Sequence, residues 1–194
     1  MALTGLRAGE VIGLRVSDVE LANRRVLVRQ TRQRIAGKGW VIGTPKSKRS
    51  TREVPLLDSQ LISDLRAYLL AHPKSGQPDA LFWPGRAPGS RELDFDRVLD
   101  GSTFARNHFK PALVKAKLPQ MRIHDLRHTA ASLWLAAGFQ PYEVSRWLGH
   151  ANVSTTDGIY AHLYPTDYET HLSQFEAYQE REKRRVGRPA KKIG

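Results

Sequence analysis

At 194 residues the chain suits one domain, or one domain with a tail. Hydrophobic residues make up 40%, enough for a real core, and the 31 Lys+Arg against 19 Asp+Glu leave a net charge of +12. The absence of cysteine excludes disulfides, a thiolate metal site and a cysteine nucleophile, and no run approaches the ~18 apolar residues of a membrane span.

In chain order, the segment Thr4-Gly5-Leu6-Arg7-Ala8-Gly9-Glu10 leads into a short helix with Val11 and Leu14 inward. Strands are expected at 25–31, 40–44 and 52–56, with Pro55 marking an edge or an end of the last, and together they suggest a small antiparallel sheet. Asp58 or Ser59 caps a helix striped by Leu61, Leu65 and Leu69. Residues 73–101 read as loop around Leu81-Phe82-Trp83, and a helix follows over 103–117, with Pro111 disturbing it or marking its start. The clearest helix covers 124–137, with Leu126, Thr129, Ala130, Leu133, Trp134 and Ala137 as its buried stripe. Pro141 opens the next, with Val144, Trp147 and Leu148 inward, and Ser154 starts another that carries Tyr160. A last helix, about 166–184, runs into a basic tail.

The charge is unevenly spread. From Arg24 to Arg52 there are ten basic residues and no acidic one; from Arg181 to Gly194 there are seven and one acid, Glu182. Such density calls for a polyanion, and nucleic acid is the simplest. An inert basic surface is the plain alternative. Each candidate site residue has a bland reading when taken alone. Arg7 pairs locally with Glu10, three residues on; His124 and Arg127 share a helix face and an internal ion pair serves Arg127. His150 is a solvated loop histidine and Tyr160 a packing residue. The spacing of His124 and His128 fits two zinc ligands, but Asp125 stands where the metalloprotease pattern needs Glu, and Arg127 beside a metal would repel it. Residues 144–156 also have a helix-turn-helix look, which leaves Arg7, His124, Arg127 and Tyr160 unexplained.

Taken in order, the motifs T-G-L-R-x-G-E, P-K-S-K-R-S-T-R-E-V-P-L, H-D-L-R-H-T, W-L-G-H and Tyr160-Ala161-His162 resemble the catalytic domain of the tyrosine recombinase (phage integrase) family over about residues 3–164. The resemblance implies a mainly α fold with a small three-stranded antiparallel β-sheet (α+β). It implies integrase-type site-specific recombination through a 3′-phosphotyrosyl intermediate, with no metal or other cofactor. Arg7 and Arg127 become the phosphate-binding arginines, His124 and His150 the histidines flanking that phosphate, and Tyr160 the nucleophile. Lys46 becomes the general acid, with Lys48 a close rival, and Glu10 a supporting acid for Arg7 or its helix. Arg24, Arg29, Lys48 and Arg49 are expected on DNA. A type IB topoisomerase shares this logic but religates the same strand.

The residue types suit the reaction. Guanidinium forks match a phosphodiester that gathers negative charge. A cationic pocket is expected to lower the Tyr160 pKa from near 10. Gly158 weakens the helix that carries Tyr160, and with no neighbour to hold it Tyr160 is expected to be free to turn away. Family members carry a further helical domain upstream, so residues 1–165 are expected as an isolated catalytic domain lacking the core-binding domain, followed by a C-terminal helix and basic tail, 166–194. Double-stranded DNA is the expected partner, in the cytoplasm, with a free monomer assembling as a homo-oligomer on DNA and no membrane involved.

Overall fold

The computed structural model describes residues 1–43, 51–150, 152, 154–160, 172–173 and 175–181. The chain divides into two compact units, Met1–Leu163 and Tyr164–Gly194. Within the second, residues 172–173 and 175–181 are helical. No helix among the described residues is long and apolar enough to cross a membrane.

The first unit is mainly α with small antiparallel sheets. It opens with α1 (Ala8–Gly13) and a 3-10 turn, Val16–Asp18, before strands β1 (Val19–Glu20) and β2 (Arg25–Val28). β3 (Thr31–Ile35) and β4 (Gly39–Gly43) form a hairpin, and β5 (Arg52–Pro55) returns to pair with β2. The three-stranded sheet is therefore β1-β2-β5, not the set expected from the sequence. The apolar run around Val41 pairs with β3 instead, because the chain breaks its alternation at Gln30 and starts a new strand at Thr31. Val26, Leu27 and Val28 are all buried, so β2 is covered on both faces. Burial of each such side chain contributes about 1.5–3 kcal/mol.

Asp58 caps α2 (Ser59–Ala71), its carboxylate accepting from the Leu61 N–H at 2.6 Å. The buried residue of that helix is Ile62; Leu61, Leu65 and Leu69 are only half-buried. The Pro- and Gly-rich stretch expected as loop contains a short antiparallel pair, β6 (Pro84–Gly85) and β7 (Asp94–Val98). Helix α3 (Gly101–Phe104) continues through a π-turn, Ala105–Phe109, into α4 (Lys110–Lys115). Pro111 lies two residues beyond that turn, at the second position of α4. It lacks an N–H and crowds the carbonyl four residues back, and the wider π-turn accommodates it within a continuous helical segment.

α5 (Asp125–Ala136), α6 (Pro141–Leu148) and α7 (Ser154–Tyr160) complete the unit. α5 is rotated about one residue, roughly 100°, from the expected orientation. Its buried face is Arg127, Ala130, Ala131, Trp134 and Leu135, whereas Thr129, Leu133 and Ala137 are exposed. The rotation follows from Arg127. It is 4% exposed and spends both terminal nitrogens on backbone carbonyls, which draws that side of the helix inward.

Candidate active site

Two glycines bring the site together. Gly5 has φ +59°, and a Cβ there would meet Leu148 at 2.8 Å and Trp134 at 3.1 Å. Only glycine permits both the left-handed turn and the close approach to α5 and α6. Gly149, with φ +67°, ends α6, and a Cβ would meet the Arg52 guanidinium at 3.0 Å.

Glu10 is the hub. It is 2% exposed, and its carboxylate accepts from the Arg7 N–H at 2.7 Å and the Arg7 guanidinium at 3.0 Å. Arg52 donates to both its oxygens at 2.8 Å and sends Nε to the Trp147 carbonyl at 2.7 Å. Burial alone would push the Glu10 pKa up. The hydrogen bonds and charges of Arg52 and Arg7 overcome that and hold it below its ordinary value. Arg7 also reaches the Gly149 carbonyl at 3.1 Å.

Arg127 donates to the carbonyls of Gly5 and Leu148, each at 2.5 Å, so both arginines meet the segment 148–149 from different elements. Burial first, and then the neighbouring Arg7 and Arg52, lower the Arg127 pKa to about 10, which leaves it charged at neutral pH. His150 follows directly, half-buried, with Nδ1 2.9 Å from Thr156 Oγ1. Burial, and then the charges of Arg127, Arg7 and Arg52, hold its pKa down at about 4.

A second group adjoins the first on α5. His124 stands, exposed, at the residue before the helix, and the His128 ring lies one turn on, with ring centroids 5.4 Å apart. Partial desolvation, then His128 and the arginines Arg127 and Arg122, lower the His124 pKa. Tyr160, at the end of α7, is 4% exposed, and its hydroxyl lies 2.6 Å from His128 Nδ1. Two expectations are corrected here. Tyr160 has a neighbour that holds it. Its pKa is raised above the ordinary value, because burial outweighs the opposing pull of Arg127.

A cleft of about 1180 Å³ opens over this region, with Arg7, Glu10, Arg24, Arg52, Arg146 and His150 in its wall. His124, Arg127 and Tyr160 do not line it. Arg29 lies elsewhere, paired with Asp18 at 2.9 Å. Lys46, Lys48 and Arg49 fall outside the described residues. Arg52 and His128 were not singled out as site residues by the sequence. The signal for Arg52 was its spacing of two from Val54, which puts both on the same side of β5. The signal for His128 was its place one helical turn beyond His124.

Chemically, Arg7 and Arg52 share the Glu10 carboxylate, Arg127 and His150 lie close enough for their charges to interact with them, and a phenol lies beside an imidazole. Guanidinium groups are suited to binding anions, and a phenol beside a base is suited to nucleophilic attack.

Residues 1–167 match the model of the phage integrase family, and the chain belongs to that family. It is similar to the transposase from transposon Tn916 of Enterococcus faecalis, 31% identical over 166 residues, covering 82% of this chain and 40% of that protein. The chain thus spans about 40% of the length of that curated relative. Among solved structures it is similar to the XerA recombinase, 27% identical with a TM-score of 0.60, covering 90% of this chain and 53% of that one. The Tn1549 transposon integrase in complex with circular intermediate DNA shares the fold, with a TM-score of 0.63 at 22% identity over 91% of this chain and 57% of that one. The fold is that of tyrosine recombinase catalytic domains.

Proposed function

We propose that this chain is the catalytic part of an integrase-type tyrosine recombinase, a DNA strand-breaking and rejoining enzyme. The observation that carries the reading is the convergence of Arg7, Arg52, Arg127 and His150 on the segment 147–150, with Arg7 and Arg52 on the buried Glu10 carboxylate and the charges of all three arginines felt at His150. A scissile phosphodiester is the anion that such a group suits. Arg7 and Arg127 hold its non-bridging oxygens, with His124 and His150 as flanking hydrogen-bond donors. Each guanidinium carries five N–H donors, and Arg127 uses two on backbone carbonyls.

The Tyr160 oxygen attacks phosphorus, the P–O5′ bond breaks, and the 3′ end is held as a phosphotyrosyl ester. Lys46 gives the leaving O5′ its proton. Attack by a second 5′-hydroxyl reverses the step and joins a new pair of strands. Glu10 positions Arg7, and Arg52 holds Glu10 in turn. Arg24, in the cleft wall, and Arg29, Lys48 and Arg49 bind flanking phosphates. Double-stranded DNA is the partner, in the cytoplasm, with a free monomer assembling as a homo-oligomer on DNA.

The test is covalent trapping on a pool of nicked duplexes of randomised sequence, in which the fragment beyond the cleavage point diffuses away. The wild-type chain is expected to form a protein–DNA adduct that survives denaturation, and Tyr160→Phe is expected to form none while still binding duplex. An adduct in Tyr160→Phe would remove Tyr160 from the reaction.

A further inference from the structure

Tyr160 presents a problem of proton transfer. Its phenol is buried, and burial holds it above its ordinary pKa of 10.0, so it is not ionised at neutral pH. A phenol attacking phosphorus must lose its proton during the attack. Among the described residues, the group hydrogen-bonded to its oxygen is the half-buried His128, at 2.6 Å through Nδ1. That separation is within the reach a general base needs. The two residues are 32 apart in the chain and come from different helices, α5 and α7, so tertiary packing makes the contact.

We propose that His128 is a further catalytic residue: it takes the phenol proton on Nδ1 as the Tyr160 oxygen attacks the scissile phosphate, and returns it on rejoining. The proposal rests on the reading of Tyr160 as nucleophile. The step balances. On cleavage the Tyr160 O–P bond forms, the P–O5′ bond breaks with its electron pair left on O5′, which takes the proton of the general acid, and the phenol proton moves to His128. On rejoining the 5′-hydroxyl returns its proton to that acid as the O5′–P bond forms, the Tyr160 O–P bond breaks, and the departing phenolate takes its proton back from His128. Nothing is consumed, as a reversible strand exchange requires.

The surroundings favour an imidazole that shuttles a proton. From its own helix His128 meets the fields of His124 and Asp125, with Arg127 adjacent in sequence; from α7 it meets Tyr160, and from the turn after α6 it meets His150. Burial and the neighbouring charges hold the pKa values of His124 and His150 below the ordinary histidine value.

The experiment has two arms. Nitrogen NMR of the histidine rings in the full chain is expected to find His128 Nδ1 unprotonated and accepting, with its resonance moving in Tyr160→Phe. A proton resident on Nδ1 and donated to Tyr160 would overturn the proposal whatever the activity. In the second arm, adduct formation is timed on the nicked duplexes recovered from the randomised pool. His128→Asn keeps a hydrogen-bonding side chain but no base, and is expected to slow adduct formation about 100-fold and abolish the loss of rate that the wild type shows as pH falls. A wild-type rate and pH profile in His128→Asn would overturn the proposal. Should the wild-type chain itself form no Tyr160-dependent adduct, the recombinase reading fails and this proposal falls with it. That outcome is distinguishable because wild type and Tyr160→Phe would then behave alike.

Discussion

Two buried carboxylates in this protein are built on the same local plan and do different work. Glu10 and Asp18 each lie three residues after an arginine, each accepts that arginine's backbone N–H at the start of a short helical turn, and each is almost wholly buried. Asp18 accepts in addition from Arg29, which is half-exposed, while the Arg15 side chain turns away to Asp79. There cations and carboxylates are matched. Glu10 faces Arg7 and the buried Arg52, with Arg127 close enough for its field to matter, and no second carboxylate joins them in the contacts made by these groups. The local motif is a structural cap in both places. The excess positive charge assembled around one of them by distant segments is what the proposed phosphate site rests on.

Removing each carboxylate separates the two regions most strongly. Glu10→Ala leaves Arg52, 8% exposed, without its partner, and an uncompensated buried charge costs about 3–5 kcal/mol. Asp18→Ala costs less, because Arg29 is 48% exposed and water can solvate it. Urea unfolding of the two variants checks the order, and a larger loss in Asp18→Ala would contradict it.

This contrast also marks what was legible in the sequence. The family motifs pointed to Arg7, Glu10, His124, Arg127, His150 and Tyr160, and the caps and stops of α2 and α6 followed from local chemistry at Asp58, Pro141 and Gly149. What could not be read was tertiary choice. Arg127 looked like a residue beside the apolar stripe, yet its two carbonyl partners lie 122 and 21 residues away, and burying it turns the whole helix. Val41 looked like part of the central sheet, but hairpin pairing with β3 claimed its strand. The short β6–β7 pair carries almost no apolar alternation and depends on neighbours for its register. His128 was visible, but only as a rejected zinc ligand, since nothing local brings Tyr160 to it.

The next effect is on chemistry. Arg7→Ala is expected to slow adduct formation at least 100-fold, the usual cost of losing one donor to developing charge. Arg29→Ala, at the matched carboxylate, is expected to stay within about twofold of wild type, because it removes one phosphate contact at most. Timed trapping on the same nicked duplex measures both. Equal losses would mean that the two regions are not functionally distinct.

A smaller effect concerns anion binding by the protein alone. Inorganic phosphate is expected to raise the melting temperature through binding to the folded state, with about 1.4 kcal/mol gained at ten times its dissociation constant. The rise is expected to vanish in Arg7→Ala and to persist in Arg29→Ala. Thermal melts across a phosphate series at fixed ionic strength decide this.

The smallest is a pH dependence. His150 is held at about 4 in the folded protein against 6.5 as its ordinary value, so the unfolded chain binds more protons between those limits. The sign follows: His150's contribution to stability is fully present above about pH 6.5 and is lost as pH falls toward 4. His150→Asn is expected to flatten that part of the stability curve. An unchanged slope would mean that His150 is not held neutral by its burial and its cationic neighbours.

The central claim is that Tyr160 carries the broken strand. Digesting the wild-type protein–DNA adduct with protease and nuclease and weighing the peptides by mass spectrometry tests it most directly. The account predicts a nucleotide remnant, linked through a 3′-phosphate, on the peptide that contains Tyr160 and on that tyrosine alone. A remnant on any other residue, or one attached through a 5′-phosphate, would contradict it.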